Sequence, residues 1–191
     1  MVYFLILGIC IVANLAALAF QFFYHELPCP LCLFQRFGFL SIALGALLNL
    51  TYGNSWRYKI IIIVSSLFTF AIGLRQILIH IAPNDTGYGS EFLGLHFYTW
   101  SAIVSFSVIT LMSISFIVDF ILNAMFDLER SKNISRASLI KVSGMILFGI
   151  ASLNTILVIF ECGYGLCPSD PNTYMSIDAA KEIFNEYFSK K

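Results

Sequence analysis

Leu27-Pro28-Cys29-Pro30-Leu31-Cys32-Leu33-Phe34-Gln35-Arg36 joins two long apolar runs near the start of the chain. The run before it, residues 2 to 23, is apolar apart from Asn14 and Gln21, and no charge occurs ahead of Glu26. At 1.5 Å rise per residue, about 20 residues cross a hydrocarbon core of roughly 30 Å. The run is longer than the apolar region of a signal peptide and has no basic residues ahead of it, so it reads as a retained spanning helix. The run after it, Leu33 to Leu50, is apolar again but interrupted by Arg36. The Cys-x-x-Cys pair therefore stands at the mouth of a helical hairpin, at one surface of a membrane.

Three more runs follow the same pattern. Thr51 to Lys59 is a polar turn, and Ile60 to Ile81 is a third span carrying Arg75 and Gln76 near its far end. Pro83 to Glu91 has the Pro-Asn-Asp-Thr-Gly content of a loop. Gly94-Leu95-His96-Phe97-Tyr98-Thr99-Trp100 is an aromatic band suited to the membrane interface, and it opens a fourth span running to about Leu122. Asp127 to Lys141 is polar, and Leu139 to Phe160 is the fifth span. The expected fold is an all-α bundle of five transmembrane helices over residues 1–168, holding both cysteine pairs. Residues 169–191 form an amphipathic tail, with apolar Ile177, Ala180, Ile183, Phe184, Tyr187 and Phe188 at helical spacing and Ser176 as N-cap. Such a helix lies on the outer membrane surface or covers the second cysteine pair.

Composition agrees. Of 191 residues, 59% are hydrophobic and 12% charged, nineteen are Phe, and the mean hydropathy is +0.84. Soluble domains carry roughly 25% charged residues. The net charge of zero gives no sign of nucleic-acid binding. Basic residues set the orientation. Loops 51–59 and 123–141 hold Arg57, Lys59, Arg130, Lys132, Arg136 and Lys141, whereas segments 24–35 and 83–96 hold none. By the positive-inside rule the N-terminus is cytoplasmic, and Cys29/Cys32 and Cys162/Cys167 face the opposite side together. That result requires an odd number of spans.

On a non-cytoplasmic side, paired cysteines read as disulfides ahead of zinc ligands. Cys29 and Cys32 can close a small exchangeable disulfide, reachable from solvent and lipid at once. Arg36 lies at i+4 from Cys32, one turn deeper on the same helical face. A charge in an apolar span costs on the order of 2.5–3.5 kcal/mol at its centre. Arg36 either snorkels to the surface or stabilises the Cys32 thiolate or an anionic electron acceptor. Cys162 and Cys167, with two glycines between them, can close without strain, as a structural clip or as a second exchangeable pair passing electrons to the first. Arg75, Gln76 and His80 form a polar strip, bonded either to neighbouring helices and water or to the carbonyls of a quinone ring. His25 and His96 read as interfacial, and Cys10 as a small buried apolar residue. Two further readings remain open: zinc or copper binding by the cysteines with His25 or His96, and export of reducing equivalents. The second would need cytoplasmic thiols, and loops 51–59 and 123–141 contain none.

The stretch from Leu27 to Arg36 resembles the signature of the disulfide bond formation protein B family, a likeness extending over residues 1 to 125. The resemblance implies an inner-membrane thiol:quinone oxidoreductase that reoxidises a periplasmic DsbA-like dithiol oxidase of thioredoxin fold. Electrons would pass through two cysteine pairs to ubiquinone or menaquinone, supporting protein disulfide formation. It also implies that Cys32 is the quinone-proximal sulfur, Arg36 the quinone-site arginine, and His80 a histidine near the ring. In the best-known pattern the second pair precedes the fourth span. Here the 83–96 loop has no cysteine, and Cys162/Cys167 follow a fifth span, as in a branch with a C-terminal pair.

Overall fold

Five apolar stretches form five helices: α1 (Val2–Phe23), α2 (Pro30–Tyr52), α3 (Trp56–Ile79), α4 (Phe97–Phe126) and α5 (Ala137–Cys162). A two-residue hairpin, β1 (Glu91–Phe92) with β2 (Leu95–His96), precedes α4. The structure, a computed structural model, describes residues 2–24, 26–82, 87–126, 137–163 and 167. The expected tail helix, His25 and the proposed boundary at 168 lie outside the described residues. All five helices are long and apolar enough to cross a membrane. Their outward side chains are apolar too, among them Val12, Val64, Phe106, Phe120 and Phe148, as lipid contact requires.

Helix boundaries differ from the sequence expectation in instructive places. Pro30 opens α2, three residues ahead of the apolar run at Leu33, so Cys32 sits in the first turn; proline at N1 loses no hydrogen bond and its fixed φ suits the start. α3 begins at Trp56, taking Arg57 and Lys59 out of the turn. Buried Lys59 meets Asp119 of α4 at 2.5 Å and donates to Ser115 Oγ at 3.0 Å. An ion pair inside the bundle lets the helix begin earlier than hydropathy alone allows. α5 reaches Cys162 rather than Phe160, and α4 runs four residues past Leu122.

Side-chain pairs give the helix register. Gly38 faces Thr69 and Gly45 faces Ile62, so α2 and α3 run antiparallel. Gly73 faces Ala102 across the α3–α4 contact. Arg36 reaches Asn154 while Gly144 lies beside Leu47, so α5 runs antiparallel to α2. α5 also touches α1. The central core is apolar, with Ile6, Leu7, Cys10, Ile42, Ala43, Ile62 and Met112 buried together. Cys10 is a free, buried thiol within it, as its position in the first span predicts. Extending the α2–α5 register by seven residues brings Cys29 level with Glu161 and Cys162, so both cysteine pairs occupy one end of the bundle.

Candidate dithiol site

The first turn of α2 builds the site. Cys29 is the N-cap residue, extended at φ −67° and ψ 161°, and its Sγ accepts the Cys32 backbone N–H at 3.2 Å. A helix start leaves N–H groups without intrahelical acceptors, and here a sulfur takes one of them. Both cysteines are free thiols; Cys29 is buried and Cys32 partly exposed. The hydrogen bond its side chain shares with Cys32 pushes the Cys29 thiol well above the ordinary thiol range, and burial adds to the effect.

α3 supplies a neutral donor. Gln76 is fully buried, and its Nε2 donates to Cys29 Sγ at 3.3 Å and Cys32 Sγ at 3.5 Å. Its Oε1 accepts Gln35 Nε2 at 2.7 Å. α2 supplies the cation one turn deeper. Buried Arg36 donates to Gln21 Oε1 at 2.7 Å, the Ala17 carbonyl at 3.1 Å and Asn154 Oδ1 at 3.5 Å, so α1, α2 and α5 all hold it. This inward fastening excludes the snorkelling alternative. From α5, buried Glu161 lies in the electrostatic field of Arg36 and of Cys32, and its Oε2 has no hydrogen-bond partner.

A cavity of about 270 Å³ opens beside the pair, walled by Ala13, Ala17, Phe20, Leu27, Phe39 and Val104 and edged by Cys32, Gln35 and Arg36. Two buried polar atoms on its wall, Asn14 Oδ1 and Ser101 Oγ, have no protein hydrogen-bond partner. The loop at 87–92 closes one side: Ser90 donates to Glu26 through its backbone N–H at 3.2 Å and through its hydroxyl, while Tyr88 donates to the Leu27 carbonyl at 2.7 Å.

The expected polar strip divides. Gln76 joins the sulfurs instead of the cavity, Arg75 is exposed on the next face, and His80 stacks on Tyr98 at 5.7 Å beyond the end of α3. None of the three lines the cavity. His96 stacks on the other side of the same network, 5.1 Å from Tyr98 and with Nε2 3.5 Å from Glu91. Among the described residues, no three of His, Cys, Asp and Glu converge as metal ligands. Cys162 and Cys167 are joined in a disulfide, Cys162 being buried. Sequence reading passed over Gln21, Gln35, Ser101, Asn154 and Glu161. The available signal was that each is a polar residue within an apolar span.

A dithiol at a helix start, one sulfur buried and the other partly exposed, inside a five-helix bundle with a lipid-facing surface, defines a multi-pass membrane protein built for thiol chemistry. The family profile described as Disulfide bond formation protein DsbB matches residues 1–115. The chain belongs to that family and is a disulfide bond formation membrane protein. Neither the curated proteins nor the solved structures contain a match. The matched segment includes Cys29, Cys32, Arg36 and Gln76; α5, Glu161 and Cys162–Cys167 lie beyond it.

Proposed function

We propose that this chain is an inner-membrane thiol:quinone oxidoreductase that reoxidises a periplasmic dithiol oxidase of DsbA-like, thioredoxin fold. The observation that carries the reading is the position of Cys32 and Arg36 on the edge of a mostly apolar cavity whose wall also carries two orphan polar atoms. Those atoms fit a quinone: the Ser101 hydroxyl is a donor of the kind a ring carbonyl takes, and Asn14 Oδ1 an acceptor of the kind a ring hydroxyl takes. When bound, ubiquinone or menaquinone supplies a two-electron, two-proton acceptor.

The chain's own residues do the rest. A reduced partner attacks the Cys162–Cys167 disulfide through a mixed disulfide and leaves as a disulfide, giving two thiols on the tail pair. One of these, as thiolate, attacks the oxidised Cys29–Cys32 pair; resolution closes 162–167 again and leaves Cys29 and Cys32 reduced. Two electrons have then moved inward with no net change in sulfur–sulfur bonds. Arg36 holds positive charge one turn from Cys32, favouring the thiolate. Cys29 retains the proton of the pair. The register that levels Cys162 with Cys29 supports the handover, and the sequence count of basic residues in 51–59 and 123–141 supports a periplasmic location for both pairs with a cytoplasmic N-terminus.

The test is quinone reduction by the purified chain with a reduced thioredoxin-fold dithiol protein as donor. Cys32→Ser abolishes it; normal turnover in that variant sinks the reading. Cys162→Ser blocks oxidation of the donor while sparing quinone binding. Unchanged donor oxidation would reduce the tail pair to a clip.

A further inference from the structure

We propose that Gln76 is a catalytic residue of the Cys29/Cys32 pair, its amide N–H stabilising the reduced form of the sulfurs, and that Gln35 is the positioning residue that aims it. The proposal rests on the redox reading of that pair but not on the quinone or the partner.

Gln76 touches both reacting atoms from a different helix, with Nε2 at 3.3 Å from Cys29 Sγ and 3.5 Å from Cys32 Sγ. An amide can present either its donor or its acceptor end. Gln35 selects between them: its Nε2 lies 2.7 Å from Gln76 Oε1. Turning the Gln76 amide over would set two donors against each other at that distance. With Oε1 engaged by Gln35, Nε2 is the amide atom nearer the sulfurs: Cys32 Sγ lies 3.9 Å from Oε1 but 3.5 Å from Nε2. A sulfur that gains negative charge gains from a facing N–H more than a neutral thiol does, because a charge-assisted bond is roughly twice as strong as a neutral one. The donor is dry as well, since Gln76 is 1% exposed, and water cannot take its place.

Gln76 acts beside other groups that bear on the same sulfur. Arg36 and Cys29 act from the α2 end and Glu161 from α5. Arg36 supplies charge and Cys29 a proton. Gln76 supplies a fixed dipole without adding a charge to a membrane-embedded site, which is the cheaper device where burial penalises ions. In oxidation the pair loses two electrons and two protons and forms one sulfur–sulfur bond. Gln76 weights that equilibrium toward the dithiol side and so makes the disulfide a stronger oxidant of whatever thiols reach it.

The experiment uses the full chain in lipid nanodiscs, with the Cys29–Cys32 peptide resolved by mass spectrometry. Iodoacetamide labelling of Cys32 is followed against pH. The pair is then equilibrated with reduced and oxidised dithiothreitol, which takes up or gives the two electrons and two protons, above the labelling midpoint. Gln76→Met keeps volume and removes the donor. Its labelling midpoint rises by about one pH unit, and its equilibrium moves about tenfold toward disulfide. Gln35→Met gives a smaller shift in the same direction. Gln76→Glu, which places an anionic acceptor against the sulfurs, shifts both readouts at least as far and stands in should the Met variant fail to fold. Unmoved midpoints and equilibria in the Gln76 variants overturn the proposal. A wild-type pair that never exchanges with dithiothreitol would instead overturn the redox reading on which it rests.

Discussion

Arg36 takes neutral oxygens from two other helices: Gln21 and the Ala17 carbonyl from α1, and Asn154 from α5. Its charge is thus held, not neutralised by those three contacts, one turn below Cys32. Removing a donor aimed at developing negative charge costs roughly 10²–10³ in rate. Arg36→Met should lower quinone-linked turnover by about 10²-fold in a steady-state assay with the reduced dithiol donor. Arg36→Lys should recover only part, because an ammonium keeps the charge but cannot bridge Gln21, Ala17 and Asn154 as a guanidinium fork does. Wild-type turnover in Arg36→Met would take the arginine out of the site. The sequence made Arg36 conspicuous, since a cation in an apolar run is rare. Its partners were not legible, because Gln21 and Asn154 stand fifteen and 118 positions away. His80 was as conspicuous in the sequence, and its neighbour was no more legible. Its i+4 spacing from Gln76 puts it on the same helical face, yet α3 ends at Ile79 and the ring turns to Tyr98.

At the scale of helices, α2 and α3 lie close because α2 carries glycine where α3 carries bulk. A Cβ on Gly38 would collide with Thr69 Oγ1, and one on Gly45 would come within 2.8 Å of Ile62 Cγ1. Without a hydrophobic drive between lipid-embedded helices, close backbone approach through small residues is what holds such a pair together. This crossing also sets how far Gln76 stands from the cysteines, since Gly38 lies between the dithiol and the core on α2. Gly38→Ala should destabilise the bundle by about 1–3 kcal/mol, the usual cost of overpacking, read as a lower thermal midpoint in detergent. Thr69→Ala removes Oγ1, the closest of the crowding atoms, and Cγ2, so the double variant should regain most of the loss. Additive losses instead would mean that the two residues do not meet. Hydropathy made the five spans legible, but not their boundaries or neighbours. Lys59 illustrates why: a lysine ends an apolar run on paper, while Asp119, sixty residues on, allows it inside α3.

Across the molecule, the antiparallel order of helices sorts the chain into two ends with different chemistry. Lys59, Asp119, Asn54 and Tyr3 meet at one end, where Asn54 donates to Asp119 and Tyr3 to Asn54. The dithiol, Gln76, the cavity and the start of the 162–167 bridge gather at the other. Sequence counting placed both cysteine pairs together through the number of spans. What it could not supply was that α5 returns against α2 and α1, because five helices of similar hydropathy can be arranged in many orders.

That arrangement gives the proposed electron handover a specific address. Arg36 against Asn154 and Leu47 against Gly144 define the α2–α5 register, and continuing it toward the dithiol end sets Cys29 opposite Glu161 and Cys162. Cys32, one turn further into α2 on the same register, is opposite Leu157 to Phe160, where α5 carries no sulfur. Cys29 and Cys162 should therefore be the sulfurs that meet in the mixed disulfide. In Cys32→Ser/Cys167→Ser the resolving thiols are gone and that intermediate has no exit, so under mild oxidation a Cys29–Cys162 bridge should accumulate in peptide mapping. Cys29→Ser/Cys167→Ser, which leaves Cys32 and Cys162, should trap several-fold less, because about 4.5 Å of helix rise separates the alternative sulfur from the shared level. Equal trapping by the two double variants would show that the tail loop, not the α2–α5 register, chooses the sulfur. No bridge in either would separate the two pairs and leave Cys162–Cys167 as a clasp on the end of α5.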